Sequence, residues 1–296
     1  MSPAGGAAAL AGGATANAAH SAALTPRDFA AIAAIMQRDA RIHLTEAKTT
    51  LVQSRLARRL REHGIGRYSD YIALVEQDAE ERAAMVVALT TNHTHFFREP
   101  HHFDHLRNQL IPALKARAAA REAVRIWSAG CSSGEEVYTI AMCLLGQDRT
   151  AASWIRNADV KLLATDIAPH VVETAQRGWY AAQAVEGVPE PWRSAWLRPS
   201  GAGFELAEEA RALVTARVLN LFGAWPMRQQ YDAIFCRNVM IYFDDAAKAE
   251  LEARLVEQLA PGGFLYIGHS ERLIGNAAQH MRSCGHTIYQ KPGGRA

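Results

Sequence analysis

A chain of 296 residues that is 49% hydrophobic and 21% charged can form one large or two modest globular domains, which excludes general disorder. Charged or histidine residues interrupt every apolar run after residue 24 well short of the roughly 18 residues of a membrane span, so we expect a soluble protein without membrane insertion. Because 32 Lys and Arg nearly balance 30 Asp and Glu, the net charge of +2 provides no global field for nucleic acid, and we expect no nucleic-acid partner.

The first 24 residues contain 11 Ala and 4 Gly and no Lys, Arg, Asp or Glu. A secretory signal would need a basic start and a sustained apolar run, but no Lys or Arg stands here and glycines interrupt the run. We predict a disordered Ala/Gly-rich tail over residues 1–24.

Four helices are predicted after this tail. Thr25, Pro26 and Asp28 form the pattern of an N-cap, a proline at the first helical position and an acid in the first turn. From their apolar spacing, the three later helices are expected over about 46–63, 68–76 and 79–89. Residues 25–90 should therefore form a small all-helical domain, and 91–123 should contain a linker and the first helix of the next domain.

From residue 124 onward, short apolar strands alternate with helices, which is typical of a parallel sheet covered on both faces. The prolines and glycines between 181 and 221 break this rhythm and predict an inserted hairpin or small subdomain. The fold class is thus α/β, with a doubly wound, Rossmann-like domain over 124–296. Its strands are predicted over 124–128, 160–165, 233–236 and 264–268.

A turn of small residues follows the first predicted strand, between Gly130 and Gly134. Such a turn lets a nucleoside approach the backbone at the carboxyl edge of a sheet, although a tight turn with no ligand is the alternative. Asp166 ends the second strand, where a carboxylate can accept hydrogen bonds from ribose hydroxyls or cap the next helix. Along the chain, a strand is followed by a turn, a helix, a second strand and an acidic residue. This order favours a nucleoside site.

The glycine spacing differs from the G-x-G-x-x-G pattern that binds a dinucleotide pyrophosphate. A ligand without phosphates fits better, and S-adenosylmethionine is such a ligand. Its sulfonium cation would prefer a carboxylate such as Glu135. The sequence therefore favours a methyltransferase over a dehydrogenase.

Cysteine and histidine usage gives no sign of a metal centre. The four cysteines lie far apart without a C-x-x-C pair, which fits a reduced cytoplasmic protein without disulfides. His101 and His105 have the spacing of a helical metal pair, but neither Cys nor an H-E-x-x-H pattern accompanies them. We expect no metal.

Four separated runs identify a larger pattern, and they occur in the order found in one family. The runs are 89–100 (LTTNHTHFFREP), 127–138 (WSAGCSSGEEVY), 164–167 (ATDI) and 234–243 (IFCRNVMIYF). Together they resemble the chemotaxis receptor methyltransferases, the CheR family, over about residues 25–291.

The resemblance implies a class I methyltransferase that transfers a methyl group from S-adenosyl-L-methionine to glutamates, leaving S-adenosyl-L-homocysteine. The acceptors would lie on the cytoplasmic helical region of methyl-accepting chemotaxis receptors, and the enzyme would be cytoplasmic. The insert, at about 183–219, would be a small antiparallel β subdomain, which in some members captures a receptor peptide by strand addition. With Gly130 of the turn, the implied cofactor-binding residues are Asn92, Thr94, Arg98, Glu135, Asp166, Asn220, Leu221, Asn238 and Val239.

Arg98 and Tyr242 are the candidate catalytic residues. The planar guanidinium of Arg98 can bind a carboxylate of the cofactor or of the acceptor, although a surface arginine paired with Glu99 is the alternative. Tyr242 would orient the acceptor or pack on the sheet edge. A glutamate with an ordinary pKa of about 4.3 is already ionised near neutral pH, so no general base is expected.

Arg55, Arg58 and Arg59 of the second helix are candidates for substrate docking. An ordinary solvated face is the alternative, but in the family this helix is the one proposed to meet the acidic methylation region of the receptor. Two other functions remain open: a methyltransferase with another acceptor, and a non-catalytic sensor or scaffold that binds S-adenosylmethionine. An Asp/Asn-Pro-Pro-aromatic motif, usual in enzymes that methylate bases, is replaced here by Arg237-Asn238-Val239-Met240.

Overall fold

The computed structural model describes residues 23–293, so the predicted tail, except for its last two residues, lies outside the described residues. The described part of the chain begins with a bundle of four helices close to the predicted bounds. They are α1 (Pro26–Ala40), α2 (Thr49–Glu62), α3 (Tyr68–Gln77) and α4 (Ala79–Leu89). Glu46–Lys48, predicted as the start of the second helix, forms a separate 3₁₀ turn.

Helix capping and apolar spacing explain this bundle. Thr25 and Asp28 form a reciprocal capping box at the start of α1. On α2, Val52, Leu56 and Leu60 lie on one stripe and are fully buried. The first part of the chain therefore has a hydrophobic core of its own.

The rest of the described chain alternates strands and helices. The strands are β1 (Val124–Ala129), β2 (Val160–Asp166), β3 (Trp179–Ala181), β4 (Leu197–Ser200), β5 (Gly203–Leu206), β6 (Val214–Val218), β7 (Tyr231–Cys236), β8 (Leu259–Ile267), β9 (Arg282–Gly285) and β10 (Ile288–Gln290). The helices are α5 (Pro100–His105), α6 (Ile111–Ala119), α7 (Glu135–Leu145), α8 (Pro169–Arg177), α9 (Glu190–Trp196), α10 (Glu208–Arg211) and α11 (Asp245–Gln258). A π-helical segment, Leu106–Leu110, joins α5 to α6.

Among the described residues, seven strands form one sheet in the order β6-β2-β1-β7-β8-β10-β9. The first five are mutually parallel, and the last two pair antiparallel. Alternate residues of β1 and β7 face two separate cores: Ile126 and Phe235 belong to one, and Trp127 and Ile234 to the other. The prediction of a parallel sheet covered on both faces is confirmed.

The insert differs at both ends from the expected 183–219. Its sheet, of order β3-β5-β4, begins with β3 at Trp179, while Val214–Val218 pairs in parallel with β2 as an edge strand of the large sheet. In this edge strand only Ala216 is buried, so the sequence lacks the continuous apolar run expected of a parallel strand. β8 likewise begins earlier than predicted, because its backbone continues through Pro261 with a register shift.

The helical domain packs against the carboxyl edge of the large sheet. The backbone N–H of His43 donates to the carbonyl of Tyr242 at 2.8 Å, and Gln37 Nε2 donates to Asp244 Oδ2 at 2.8 Å. The edge at which a doubly wound sheet binds ligands is therefore walled by the helical domain. Within residues 23–293, no helix combines the length and apolar character needed to cross a bilayer.

Candidate active site

The candidate active site is a cleft between the helical domain and the carboxyl ends of β1, β2 and β7. It has two arms, an apolar arm of about 830 Å³ and a polar arm of about 680 Å³. The arms are continuous, because both are lined by Thr91, Asn92, Gly130, Asp166 and Tyr242.

The helical domain supplies one wall of the apolar arm, and the loops after β6 and β7 supply the opposite wall. The apolar arm is further lined by Ala40, Ile42, Leu44, Lys48, Leu51, Leu89, Leu221, Phe222, Val239 and Phe243, among others. This apolar lining suits the faces of an aromatic base. The polar arm is further lined by His93, Thr94, His95, Arg98, Ser132, Arg237, Asn238 and Ile241, among others.

Gly130 shapes the junction of the arms. Its φ of 81° lies in the left-handed region, and its backbone N–H donates to the carbonyl of Thr165 at 2.8 Å. A Cβ atom at this position would lie 2.4 Å from Cγ2 of Val239. Glycine is therefore required both for the backbone conformation and for the close approach of the β7 loop.

Asp166 lies at the junction with its carboxylate already oriented. Oδ2 accepts the backbone N–H of Ser132 at 2.9 Å, and Oδ1 accepts that of Ala168 at 3.0 Å. Burial raises the pKa of Asp166, while these backbone donors oppose the rise. Each carboxylate oxygen can accept a further hydrogen bond, so the group can also receive ribose hydroxyls.

The segment 92–99 forms a strained loop beside the turn after β1. The hydroxyl of Ser132 donates to the carbonyl of Asn92 at 2.6 Å, and Ser132 itself has a φ of 50°. Arg98 lines the polar arm, and its Nη1 donates to the carbonyl of His93 at 3.1 Å. Arg98 thus lies in the cleft. Among the described residues, Glu99 pairs with Arg237 and His269 and not with Arg98.

Tyr242 stands where the two arms meet, on the short helix after β7. Its hydroxyl lies 3.5 Å from the carbonyl oxygen of Thr91, to which it donates. Nζ of Lys48, from the helical domain, lies 5.7 Å from the centroid of the Tyr242 ring. The phenol is half-buried and therefore reachable by a ligand in either arm.

Asn220 and Leu221, which the resemblance implies as cofactor-binding residues, line the apolar arm. Nδ2 of Asn220 donates to the carbonyl of Asp39 at 2.8 Å, and Oδ1 accepts the backbone N–H of Phe222 at 3.0 Å. The Asn220 side chain therefore ties the helical domain to the loop after β6, and its neighbour Leu221 provides the apolar surface.

Of the predicted cofactor-binding residues, Glu135 alone lines neither arm of the cleft. Its Oε2 accepts the hydroxyl hydrogen of Ser133 at 2.6 Å, and burial raises its pKa, while attraction to His95 and His93 opposes the rise. Glu135 is therefore a buried carboxylate that does not line the cleft but follows directly after the turn that does. Contact between Glu135 and a cofactor stays a prediction.

Two buried charged residues, Glu271 and Arg237, hold the loops of the cleft and were not predicted as site residues. The carboxylate of Glu271 accepts backbone N–H groups from Gly268 at 2.6 Å and from Asn238 and Ile241 at 3.1 Å each. These bonds fix the turn in which Asn238 has a φ of 59°. Arg237, the second residue, lies within the 234–243 run, but its sequence position gave no sign that its side chain turns inward.

The three predicted docking arginines differ in their surroundings. Arg55 donates to the carbonyls of Leu89 at 2.9 Å and Thr90 at 2.5 Å, and Arg59 pairs with the buried carboxylate of Glu81. Both therefore stabilise the helical domain. Arg58 is the exposed member of the three, with 80% of its side chain accessible.

Two family models match the chain and together cover nearly all of the described residues. Residues 27–90 match the CheR methyltransferase all-alpha domain, and residues 92–290 match the CheR methyltransferase SAM binding domain. The chain belongs to the CheR methyltransferase family. Its cofactor is accordingly S-adenosylmethionine, and its two domains correspond to the two domains of the family.

Individual members of the CheR family are similar over most of their length. A probable chemotaxis protein methyltransferase of Rhizobium etli is 40% identical over 85% of this chain and 95% of its own. Chemotaxis protein methyltransferase 2 of Pseudomonas aeruginosa is 39% identical over 90% and 93%, and the chemotaxis protein methyltransferase of Escherichia coli is 36% identical over 90% and 91%. The similarity therefore includes both the helical and the α/β domain.

Proposed function

We propose that this protein transfers a methyl group from S-adenosyl-L-methionine to glutamate side chains of methyl-accepting chemotaxis receptors in the cytoplasm. The observation that carries the proposal is the two-armed cleft. One arm is apolar and suits adenine, the other is polar and contains Arg98, and the arms meet at Asp166 and Tyr242.

The described residues fit the cofactor. Gly130 allows the turn after β1 and the loop after β7 to approach closely at the junction of the arms, and Asp166 presents an oriented carboxylate there. Leu221 and Val239 would hold the base, while Asn92, Thr94 and Asn238 offer polar groups for the amino-acid part. When bound, S-adenosylmethionine supplies an electrophilic methyl group.

Arg98 and Tyr242 would hold the acceptor. The guanidinium of Arg98 can bind one oxygen of a glutamate carboxylate, which leaves the other oxygen free to react, and the Tyr242 hydroxyl can orient it. The acceptor is ionised near neutral pH, so no residue has to remove a proton. The two residues would therefore act by alignment and by excluding water.

Receptor docking would involve the exposed face of α2. Arg58 projects from it, whereas Arg55 and Arg59 hold the helix in place. An acidic region of a receptor helix would be attracted to this face, and the helical domain would bring that helix to the cleft it walls.

Incubation with cofactor labelled on its methyl group, receptor-bearing membranes and nucleic acid tests the proposal. We expect label on the receptor that alkali releases as methanol, because a glutamate methyl ester is base-labile. Alkali-stable label, or label on nucleic acid, would point to another acceptor. Cofactor binding without any transfer would point to a sensor or scaffold, and each of these results would reject the proposal.

A further inference from the structure

Arg237 is a buried cation that joins three segments of the site. Its Nη1 donates to Oε2 of Glu136 at 2.9 Å, and Nη2 lies 3.2 Å from Oε2 of Glu99. Nη2 also donates to the backbone carbonyl of Arg98, and the guanidinium carbon lies 5.4 Å from the ring centroid of Phe103. Only 2% of the side chain is exposed, and its Nε is buried without a hydrogen-bond partner among the described residues.

The charges around Arg237 depend on one another. Burial acts to raise the pKa of Glu99, but attraction to Arg237 and hydrogen bonds from His269 outweigh it and lower the pKa to about 2. Burial and then the charge of Arg237 lower the pKa of His102 to about 3. Removal of a single partner from such a buried group would leave the remaining charges uncompensated.

The backbone next to these contacts is strained. Phe97 has a φ of 54° and Glu99 a φ of 58°, on either side of Arg98. Non-glycine residues keep this conformation only where surrounding contacts over-determine it. Arg237 supplies two such contacts, one to the side chain of Glu99 and one to the carbonyl of Arg98.

We propose that Arg237 is a positioning residue for methyl transfer, which fixes the backbone at Arg98 so that the Arg98 side chain reaches the acceptor in the polar arm. This inference rests on the proposed function, because it assumes that Arg98 binds the acceptor. Arg237 lines the polar arm, but both of its Nη atoms are engaged by two carboxylates and a carbonyl, so we assign its effect to the position of Arg98 and not to binding of the acceptor.

Kinetics of Arg237→Ala against a matched control test the proposal. Arg117→Ala is the control, because Arg117 also pairs with a buried carboxylate, that of Asp232, but lies outside both arms of the cleft. At a temperature at which both variants are folded, Arg237→Ala should lower kcat about 100-fold, as expected for a displaced positioning group. Its Kd for S-adenosylhomocysteine should change less than about threefold, because most of the cofactor contacts lie elsewhere. Arg117→Ala should have the same kcat and the same Kd for S-adenosylhomocysteine as the wild-type protein.

Chemical rescue separates positioning from general destabilisation. The cavity left in Arg237→Ala retains the carboxylates of Glu99 and Glu136, so millimolar guanidinium should bind there and restore part of kcat, whereas methylammonium at the same ionic strength should not. Arg237→Lys covers the case in which the alanine variant fails to fold. Lysine keeps the positive charge but lacks the planar guanidinium that can bind two carboxylates at once. Arg237→Lys should therefore be folded and have a kcat about tenfold lower than wild type.

Amide hydrogen exchange gives a readout that does not depend on the acceptor. Exchange over residues 92–99 should accelerate in the Arg237 variants and stay as in wild type in Arg117→Ala. Unchanged kcat, absence of guanidinium rescue or unchanged exchange over 92–99 would overturn the role of Arg237. A wild-type enzyme that shows no receptor methylation would instead reject the proposed function, and the exchange experiment would still decide whether Arg237 holds the loop.

Discussion

Gly130 and Val239 approach so closely that a Cβ atom on the glycine would lie 2.4 Å from Cγ2 of the valine. The contact joins the turn after β1 to the loop after β7 at the point where the two arms of the cleft meet. Any side chain here would push one loop away from the other.

Gly130→Ala should therefore weaken cofactor binding. Gly262→Ala is the matched control, because its φ of 79° is close to the 81° of Gly130 but no atom lies within 4 Å of the added Cβ. Both variants should lose about 1 kcal/mol of unfolding free energy from backbone strain. Calorimetric titration with S-adenosylhomocysteine should show at least about a tenfold higher Kd for Gly130→Ala alone, and equal affinities in both variants would contradict the role of the contact.

Arg98 and Tyr242 should matter for turnover and not for folding. Arg98→Ala should lower kcat about 100-fold and Tyr242→Phe about tenfold, because each removes a group that aligns the acceptor. Thermal unfolding should show native-like folding in both, since each side chain makes a single hydrogen bond to a nearby carbonyl. A double variant with full turnover would reject both assignments.

Charge reversal on α2 should separate docking from stability. Arg58→Glu should raise the KM for receptor several-fold and leave the Kd for S-adenosylhomocysteine unchanged, because Arg58 is exposed and outside the cleft. Arg228→Glu makes the same change in an exposed residue just before β7, at the opposite edge of the sheet, and should leave KM as in wild type. Arg59→Glu should instead unfold the helical domain at a lower temperature, because the buried carboxylate of Glu81 loses its arginine partner and gains a like charge nearby. A receptor KM that is the same for Arg58→Glu and Arg228→Glu would argue against docking on this face.

His102 should make the protein sensitive to acid. Its pKa is lowered from 6.5 to about 3, by burial and by the charge of Arg237, so between these values the unfolded chain binds a proton that the folded chain does not. The neutral imidazole therefore makes its full contribution to the free energy of unfolding above pH 6.5. Below this pH the contribution falls by up to about 1.4 kcal/mol per pH unit. Urea unfolding at pH 7 and pH 5 should show a smaller loss for His102→Gln than for wild type, and identical losses would contradict this burial.

The fold and the site could be predicted from sequence where a local signal exists. Capping residues such as Thr25 and buried stripes such as that of α2 predicted the helices, and the order of turn and acid around Asp166 predicted the edge of the sheet at which the cleft lies. The β6 strand was assigned to the insert because an edge strand buries only Ala216 and so lacks an apolar run. The inward turn of Arg237 and the engagement of Arg59 with Glu81 depend on tertiary contacts, which no spacing along the chain reveals.

Peptide mass spectrometry of receptor after incubation with S-adenosylmethionine and this protein tests the central claim most directly. The claim is that the interdomain cleft presents a methyl group to glutamate carboxylates of a chemoreceptor. We predict a gain of one CH₂ on receptor glutamates with the wild-type protein, and a much smaller gain with Arg98→Ala. Receptor glutamates that stay unmodified with folded, cofactor-binding wild-type protein, or methyl groups on other residue types, would contradict the account.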